Sequence, residues 1–239
     1  MHADNTDLPS RIHSPAYALS LVCAALALAL GLWMWLPLPE AAEAVSEGSM
    51  IELATEVLYF VAAVSVWLLR RPGLDVRSSM ALCVVLVAFG AREMDLHKHW
   101  TGVSMLKLSF FLGDAPLEQK LVSLFVVAVV ALAAAHLLRT HAKPTFVSLR
   151  RGHSVALTVA IFIVTLLVAK TLDRSASVLH EDFGIELEGS VIVLVQAFEE
   201  ALELALPMLV MLGLLQHRAQ RIGWRGTDQG AGATGFSGR

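Results

Sequence analysis

The sequence predicts an all-α, polytopic transmembrane helical bundle of six spans, and three observations lead to that fold class. The chain of 239 residues is 56% hydrophobic and only 16% charged, with a mean hydropathy of +0.65. A soluble domain averages about 45–50% apolar and about 25% charged residues. The apolar residues are grouped in runs of about 18–24 residues, a length of helix that crosses a hydrocarbon core of about 30 Å. The Lys and Arg residues are concentrated in alternate connections between these runs.

Six apolar runs define the transmembrane domain, which covers residues 15–222. The predicted spans cover residues 15–38, 51–69, 76–92, 121–138, 154–172 and 190–215. The first run is longer than the roughly 7–15 apolar residues of a signal peptide, so we interpret it as an uncleaved span. A polar N-terminal segment, 1–14, precedes the spans. The tail at 223–239 is rich in glycine and is predicted to be disordered on the cytoplasmic side.

The connections between the spans differ in charge. We expect an acidic loop at 39–50, a basic loop at 139–151 and a polar loop at 173–189. Residues 101–112 are apolar but too few to cross a bilayer. They are therefore predicted to form one short interfacial or re-entrant segment between the third and fourth spans.

The distribution of charge predicts the orientation in the membrane. Six spans place both termini on one side, which then holds 12 of the 18 Lys and Arg residues and 4 of the 21 Asp and Glu residues, a net charge of +8. The opposite side carries a net charge of −11. Since an excess of Lys and Arg marks the cytoplasmic side, both termini are predicted to be cytoplasmic in a bacterial-type inner membrane. The lipid bilayer is the expected partner; nucleic acid is not, and a homo- or hetero-oligomer is left open.

Ionisable side chains inside the spans are the main functional signal in the sequence. A charge near the bilayer centre costs about 2.5–3.5 kcal/mol on insertion scales. Counting about 1.5 Å per residue along each helix brings groups from four spans to one level in the outer leaflet. The predicted cation- or proton-binding carboxylates are Glu52, Glu56, Glu93, Glu199, Glu200 and Glu203. The predicted counter-charges are Arg92, Lys170 and Arg174. Because the carboxylates outnumber the cations, either some carboxylates are protonated or a bound cation completes the site.

Several of these residues are spaced to share a helix face. Residues four positions apart lie along one side of a helix, and Glu199 with Glu203 is one such pair. Glu93 and His97 form another and would supply an oxygen and an imidazole ligand, which suit a divalent metal ion. The candidate metal ligands are Glu93, His97, Glu200 and Glu203.

Three functions fit this pattern. The leading interpretation is binding or transport of a cation or proton, because intramembrane ionisable residues commonly mark ion pathways. The cytoplasmic half of the bundle offers few polar groups to continue such a path; they are Ser65, His136, Thr158 and Thr165. That shortage favours the first alternative, a membrane-embedded, metal-dependent enzyme that acts on a lipid or hydrophobic substrate from the periplasmic side. The second alternative is an accessory or assembly subunit with a structural network of buried ion pairs. Known phosphate-loop, nucleophile-elbow and zinc-protease motifs are absent, so no catalytic residue is assigned.

Overall fold

The computed structural model describes Ser14 and residues 16–69, 75–96, 108–113 and 115–232. Within these ranges the chain forms eight helices and no strand, which confirms the predicted all-α class. The helices are α1 (Ala16–Trp35), α2 (Leu38–Ala44), α3 (Met50–Leu68), α4 (Val76–Glu93), α5 (Leu108–Leu112), α6 (Leu117–Arg150), α7 (Ser154–Phe183) and α8 (Gly189–Gly232).

Four of the described helices, α1, α3, α6 and α7, are long and apolar enough to cross a membrane. They correspond to the predicted spans at 15–38, 51–69, 121–138 and 154–172. The other two predicted spans lie within α4 and α8, which carry most of the charges that the sequence predicts to lie in the membrane. The re-entrant segment stays a prediction, because most of 101–112 lies outside the described residues and α5 accounts only for its end.

The predicted basic loop and much of the predicted polar loop are wrong, because α6 and α7 continue through them to Arg150 and Phe183. Each helix ends at a glycine with a left-handed backbone, Gly152 (φ 72°) and Gly184 (φ 64°). Glycine adopts this conformation without the steric penalty of a Cβ atom and commonly ends helices. The polar residues before each glycine do not themselves stop the helix. The predicted acidic loop similarly contains α2. Helix α8 runs past 215 to Gly232 and covers the first part of the tail that is predicted to be disordered, whereas residues 233–239 lie outside the described residues.

Helix α8 lies at the centre of the bundle and packs against α1, α3 and α7. Its contact with α1 and α2 is made largely of small side chains, including Ala29, Ala197 and Ala201. Small residues allow the backbones of membrane helices to approach closely. The Trp33 indole of α1 also donates a hydrogen bond to the Ser190 carbonyl at 2.9 Å. By contrast, α6 buries only Ser123 among its described residues and lies at the edge of the bundle.

A second buried cluster joins α3, α4 and α8, and we call it the apolar layer. Its buried members are Tyr59, Ala62, Ala63, Val66, Leu86 and Leu206. The helices approach closely at Gly90 of α4, where an added Cβ would lie 3.2 Å from the Cβ of Tyr59 and 3.2 Å from the Phe60 ring. This close approach brings the end of α4, and with it Glu93, beside the layer.

Candidate functional site

Five ionisable side chains from α4, α7 and α8 form a closed chain of contacts, which we call the charged ring. Its members are Arg92, Glu93, Lys170, Asp173 and Glu203. Lys170 forms an ion pair with Glu203, and its Nζ lies 3.5 Å from Oδ2 of Asp173. The Arg92 guanidinium lies 4.0 Å from Asp173 Oδ2 and 3.9 Å from Glu93 Oε1. The carboxyl groups of Glu93 and Glu203 are close enough for a side-chain hydrogen bond, which closes the ring.

The charged ring holds three acidic and two basic groups, so it carries a net charge of −1 when all five are ionised. The surplus charge lies where two carboxyl groups meet, at Glu93 and Glu203. Two carboxylates that share a site resist simultaneous ionisation, because their like charges repel at short distance. A single proton on this pair would make the ring neutral and would supply the hydrogen between the two oxygen atoms.

The ring is buried at one end and open at the other. The side chains of Glu203 and Glu93 are 8% and 12% exposed, whereas those of Lys170, Arg92 and Asp173 are 29%, 36% and 41% exposed. Access to the carboxyl pair therefore runs past Asp173 and the two cations.

Local sequence explains how the ring residues are held. Lys170 and Asp173 are three positions apart on α7 and share a face. Glu93 is the last residue of α4, which ends at a turn where Asp95 has a φ of 46°. Glu203 lies four residues before Pro207, a buried proline inside α8. Since proline has no N–H and its ring crowds the carbonyl four residues earlier, the Glu203 carbonyl lacks its usual helical donor.

Two further predicted carboxylates lie beside the ring. Glu199 is half-buried and interacts electrostatically with Asp173 and Glu203. Glu200 is also half-buried and interacts first with Glu203, then with Glu199 and with Glu52 of α3. Both residues add negative charge close to the ring, which increases the demand for a proton or another cation there.

Glu52 and Glu56 do not belong to the charged ring. The Glu52 carboxylate accepts a hydrogen bond from the Gly48 N–H, and the Glu52 N–H donates to Ser49 Oγ at 3.3 Å. This reciprocal arrangement resembles a capping box, in which side chains satisfy the free N–H groups at a helix start. No ion pair or hydrogen bond joins Glu56 to the ring in the described part of the chain, and its electrostatic neighbour is Glu52.

The remaining predicted groups are not assembled into a site. Arg174 is exposed and points to no ring residue at ion-pair distance in the described ranges. His97 lies outside the described residues. Among the residues that the structure does describe, no group of three or more His, Cys, Asp and Glu side chains is placed to hold a metal ion. Of the four predicted metal ligands, Glu93 and Glu203 are in contact and Glu200 is nearby. The fourth ligand, His97, would be needed to complete the site.

Sequence reasoning missed two residues of this region. Asp173 was assigned to a loop, although its spacing of three from Lys170 could have placed it on the same helix face. Tyr59 lies within the predicted span 51–69 and is not among the predicted site residues. It does pack, with its ring stacked on Phe89 at 5.6 Å and 9°, but it also interacts electrostatically with Glu93 and Glu203. Nothing in a single sequence distinguishes such a tyrosine from one that only packs.

Polar contacts recur on the other side of the apolar layer. Thr158 Oγ1 donates to Gln216 Oε1 at 2.7 Å, and Gln220 Nε2 donates to Ser154 Oγ at 3.0 Å. We call these four residues of α7 and α8 the polar layer. Gln216 is fully buried, although the sequence suggested that the last span leaves the membrane there. Because Leu206 and its neighbours in the apolar layer lie between, the polar layer does not connect with the charged ring.

Histidine also contributes to the polar contacts in this half of the bundle. Ser78 Oγ of α4 lies 3.3 Å from Nε2 of His136 and 2.9 Å from Nε2 of His141, both on α6. The serine hydroxyl carries one proton, so it can donate to one imidazole while it accepts from the other. These contacts attach the peripheral helix α6 to α4.

The chain matches no protein-family model, no curated protein and no solved structure.

Proposed function

We propose that the chain is a six-span protein of a bacterial-type inner membrane, with both termini in the cytoplasm, that binds a proton at the Glu93–Glu203 pair. The observation that carries the proposal is the contact between these two carboxyl groups inside a ring of three acids and two bases. One proton would neutralise the net charge of −1 on this ring, and the carboxyl pair is where it would bind.

The proposed topology draws support from packing as well as hydropathy. Helix α4 packs against α3 and α6, and α8 packs against α1, α3 and α7. These neighbours are the four helices apolar enough to cross a membrane. Helices that carry charges are tolerated at bilayer depth when the charged faces point into the bundle and pair with one another. The bias of Lys and Arg supports cytoplasmic termini.

The proposed access is from the extracytoplasmic side. The ring becomes more exposed from Glu203 towards Asp173, and six of the nine residues between Asp173 and Phe183 on α7 are polar or charged. In the opposite direction the apolar layer separates the ring from the polar layer. Transport across the membrane would therefore require the apolar layer to open, whereas binding requires no such change.

A purely structural ion-pair network explains the ring less well. In such a network each acid is expected to have a basic partner, because an uncompensated buried charge is strongly destabilising. Here the ring has two basic groups for three acidic groups, and the two further acids Glu199 and Glu200 lie close by. The excess of acid favours a proton-binding role.

The experiment is infrared difference spectroscopy of the protein reconstituted in lipid, recorded between acidic and alkaline pH. We expect a protonated-carboxyl band that disappears reversibly as the pH rises. Glu93→Gln and Glu203→Gln should each remove it, whereas Glu56→Gln, outside the ring, should leave it intact. Size-exclusion chromatography checks that each variant is folded. A wild-type protein without a titrating carboxyl band would overturn the proposal.

A second measurement separates binding from transport. Liposomes that contain the protein and a pH-sensitive dye are given an imposed proton gradient, with the potassium ionophore valinomycin present to prevent charge build-up. A wild-type flux abolished by Glu203→Gln indicates transport. A flat trace together with a titrating carboxyl band limits the function to proton binding.

A further inference from the structure

Tyr59 carries a buried hydroxyl group whose hydrogen bond is unaccounted for. The residue has no exposed surface, and stacking on Phe89 fixes the plane of its ring. Among the described residues the hydroxyl has no hydrogen-bond partner. Leaving a buried polar group unsatisfied costs about 1–3 kcal/mol. A buried hydroxyl without a protein partner indicates an occupant that it binds.

The hydroxyl faces the charged ring from the adjacent apolar layer. Its strongest electrostatic neighbours are Glu93, Glu203 and Arg92, in that order. None of them is at direct hydrogen-bond distance. Polar groups separated by more than about 3.5 Å are commonly bridged by a water molecule. The Tyr59 hydroxyl and the carboxyl pair are therefore polar groups that an ordered water could bridge.

The region also supplies enough acceptors. A buried water makes about three hydrogen bonds. The Tyr59 hydroxyl can donate one to the water oxygen, and the carboxyl groups of Glu93 and Glu203 can accept from the water. The main-chain carbonyl of Glu203 is a further acceptor on the same residue, because Pro207 provides no N–H for it.

We infer that a water molecule is bound between the Tyr59 hydroxyl and the Glu93–Glu203 pair, so that the site holds a hydrated proton rather than a bare one. This inference rests on the proposed function. No covalent bond changes: Tyr59 donates to the water, the water donates to the carboxyl pair, and the excess proton remains shared within that hydrogen-bonded group. The other charged groups near the pair on the packed helices are Arg92, Lys170, Asp173, Glu199 and Glu200, and Glu52 of α3 interacts with Glu200.

A water suits this position better than a metal cation. Lys170 already forms an ion pair with Glu203, and Arg92 is an electrostatic neighbour of Tyr59. A sodium ion at this position would compete with Lys170 for the same carboxylate. A water adds hydrogen bonds without adding charge.

The test is infrared difference spectroscopy of the lipid-reconstituted protein in ordinary water and in heavy-oxygen water. We expect a pH-dependent O–H band of a bound water that shifts with the oxygen isotope. Tyr59→Phe should abolish that band and should shift, but not remove, the carboxyl band. Tyr17→Phe is the matched control, because Tyr17 is the other tyrosine of the chain and is exposed; it should leave both bands unchanged.

A second variant tests the same water through another of its contacts. Pro207→Ala restores the N–H that the Glu203 carbonyl lacks and should shift the water band. Pro144→Ala, which removes the proline inside α6, should not. This pair also gives a result if Tyr59→Phe fails to fold.

The outcomes distinguish the inference from the proposal beneath it. An isotope-insensitive spectrum in the wild type, or a water band unchanged in both Tyr59→Phe and Pro207→Ala, overturns the bound water while the titrating carboxyl band stands. A water band displaced by sodium chloride but not by choline chloride overturns it in favour of a sodium site. Absence of any titrating carboxyl band overturns the proposed function itself.

Discussion

Lys170 on α7 forms an ion pair with Glu203 on α8, and this contact joins the most buried carboxylate of the charged ring to one of its two cations. Lys170 also lies 3.5 Å from Asp173 on its own helix. One ammonium group therefore connects the buried end of the ring with its exposed end. Substitution of Lys170 should therefore change both the free energy of unfolding and proton binding.

Removal of this cation should be costly unless its partner is also neutralised. Breaking one side of a buried pair costs about 3–5 kcal/mol, and we expect about 3 kcal/mol for Lys170→Met because solvent already reaches part of Lys170. The free energy of unfolding in mixed micelles measures the loss. Adding Glu203→Gln should restore most of it, because the buried Glu203 side chain then carries no charge that needs the missing ammonium group and the net charge of the ring returns to −1. Arg174→Met, on the exposed side of the same helix, should change stability by no more than about 0.5 kcal/mol. Equal effects of the two single variants would contradict the pairing.

The close approach of α3 and α4 should make Gly90 intolerant of a side chain. Gly90→Ala places a Cβ 3.2 Å from that of Tyr59, and we expect a loss of about 1–3 kcal/mol from overpacking. Gly213→Ala is the matched control on α8, because its added Cβ would meet the Thr158 methyl at an ordinary 3.7 Å. Unfolding in mixed micelles compares the two. If Gly90→Ala is as stable as Gly213→Ala, the helices are further apart than described here.

The polar layer should couple α7 to α8. A double-mutant cycle with Thr158→Val and Gln216→Leu should give a coupling free energy of about 0.6 kcal/mol and at most about 1.7 kcal/mol, the average and the maximum measured for hydrogen bonds between membrane helices. Thr171→Val is the control: Thr171 is exposed and its hydroxyl bonds the Leu167 carbonyl of its own helix. Combined with Gln216→Leu, it should show no coupling. A coupling of zero between Thr158 and Gln216 would rule out their hydrogen bond.

Glu52 should contribute to stability rather than to proton binding. Because its carboxylate caps the start of α3, Glu52→Ala should cost about 1 kcal/mol, as the loss of a capping side chain does. Ser49→Ala should lower the free energy of unfolding by a similar amount, because it removes the hydroxyl that accepts from the Glu52 N–H at the same helix start. Both variants should retain the titrating carboxyl band. Loss of that band in Glu52→Ala, without unfolding, would place Glu52 in the proton site instead.

The sequence by itself determined the all-α class and the apolar runs, and it included Glu93 and Glu203 among its candidate carboxylates, because hydropathy and charge can be assigned to each residue separately. It placed Glu93, Lys170 and Glu203 at one level, since depth follows from a fixed rise along each helix. It misjudged where α6 and α7 end, because helix length depended on the left-handed glycines Gly152 and Gly184 and not on the change to polar residues.

Only the tertiary structure decided which groups at that level meet. Rotation of each helix about its axis is set by packing against its neighbours, and a single sequence does not record it. That rotation brings Asp173 and Tyr59 to the charged ring and leaves Glu52 to cap a helix. Helix packing likewise buries Gln216 against Thr158 and inserts the apolar layer between this pair and the ring. Depth is a property of one helix, whereas contact is a property of two, and this is why the first was predictable and the second was not.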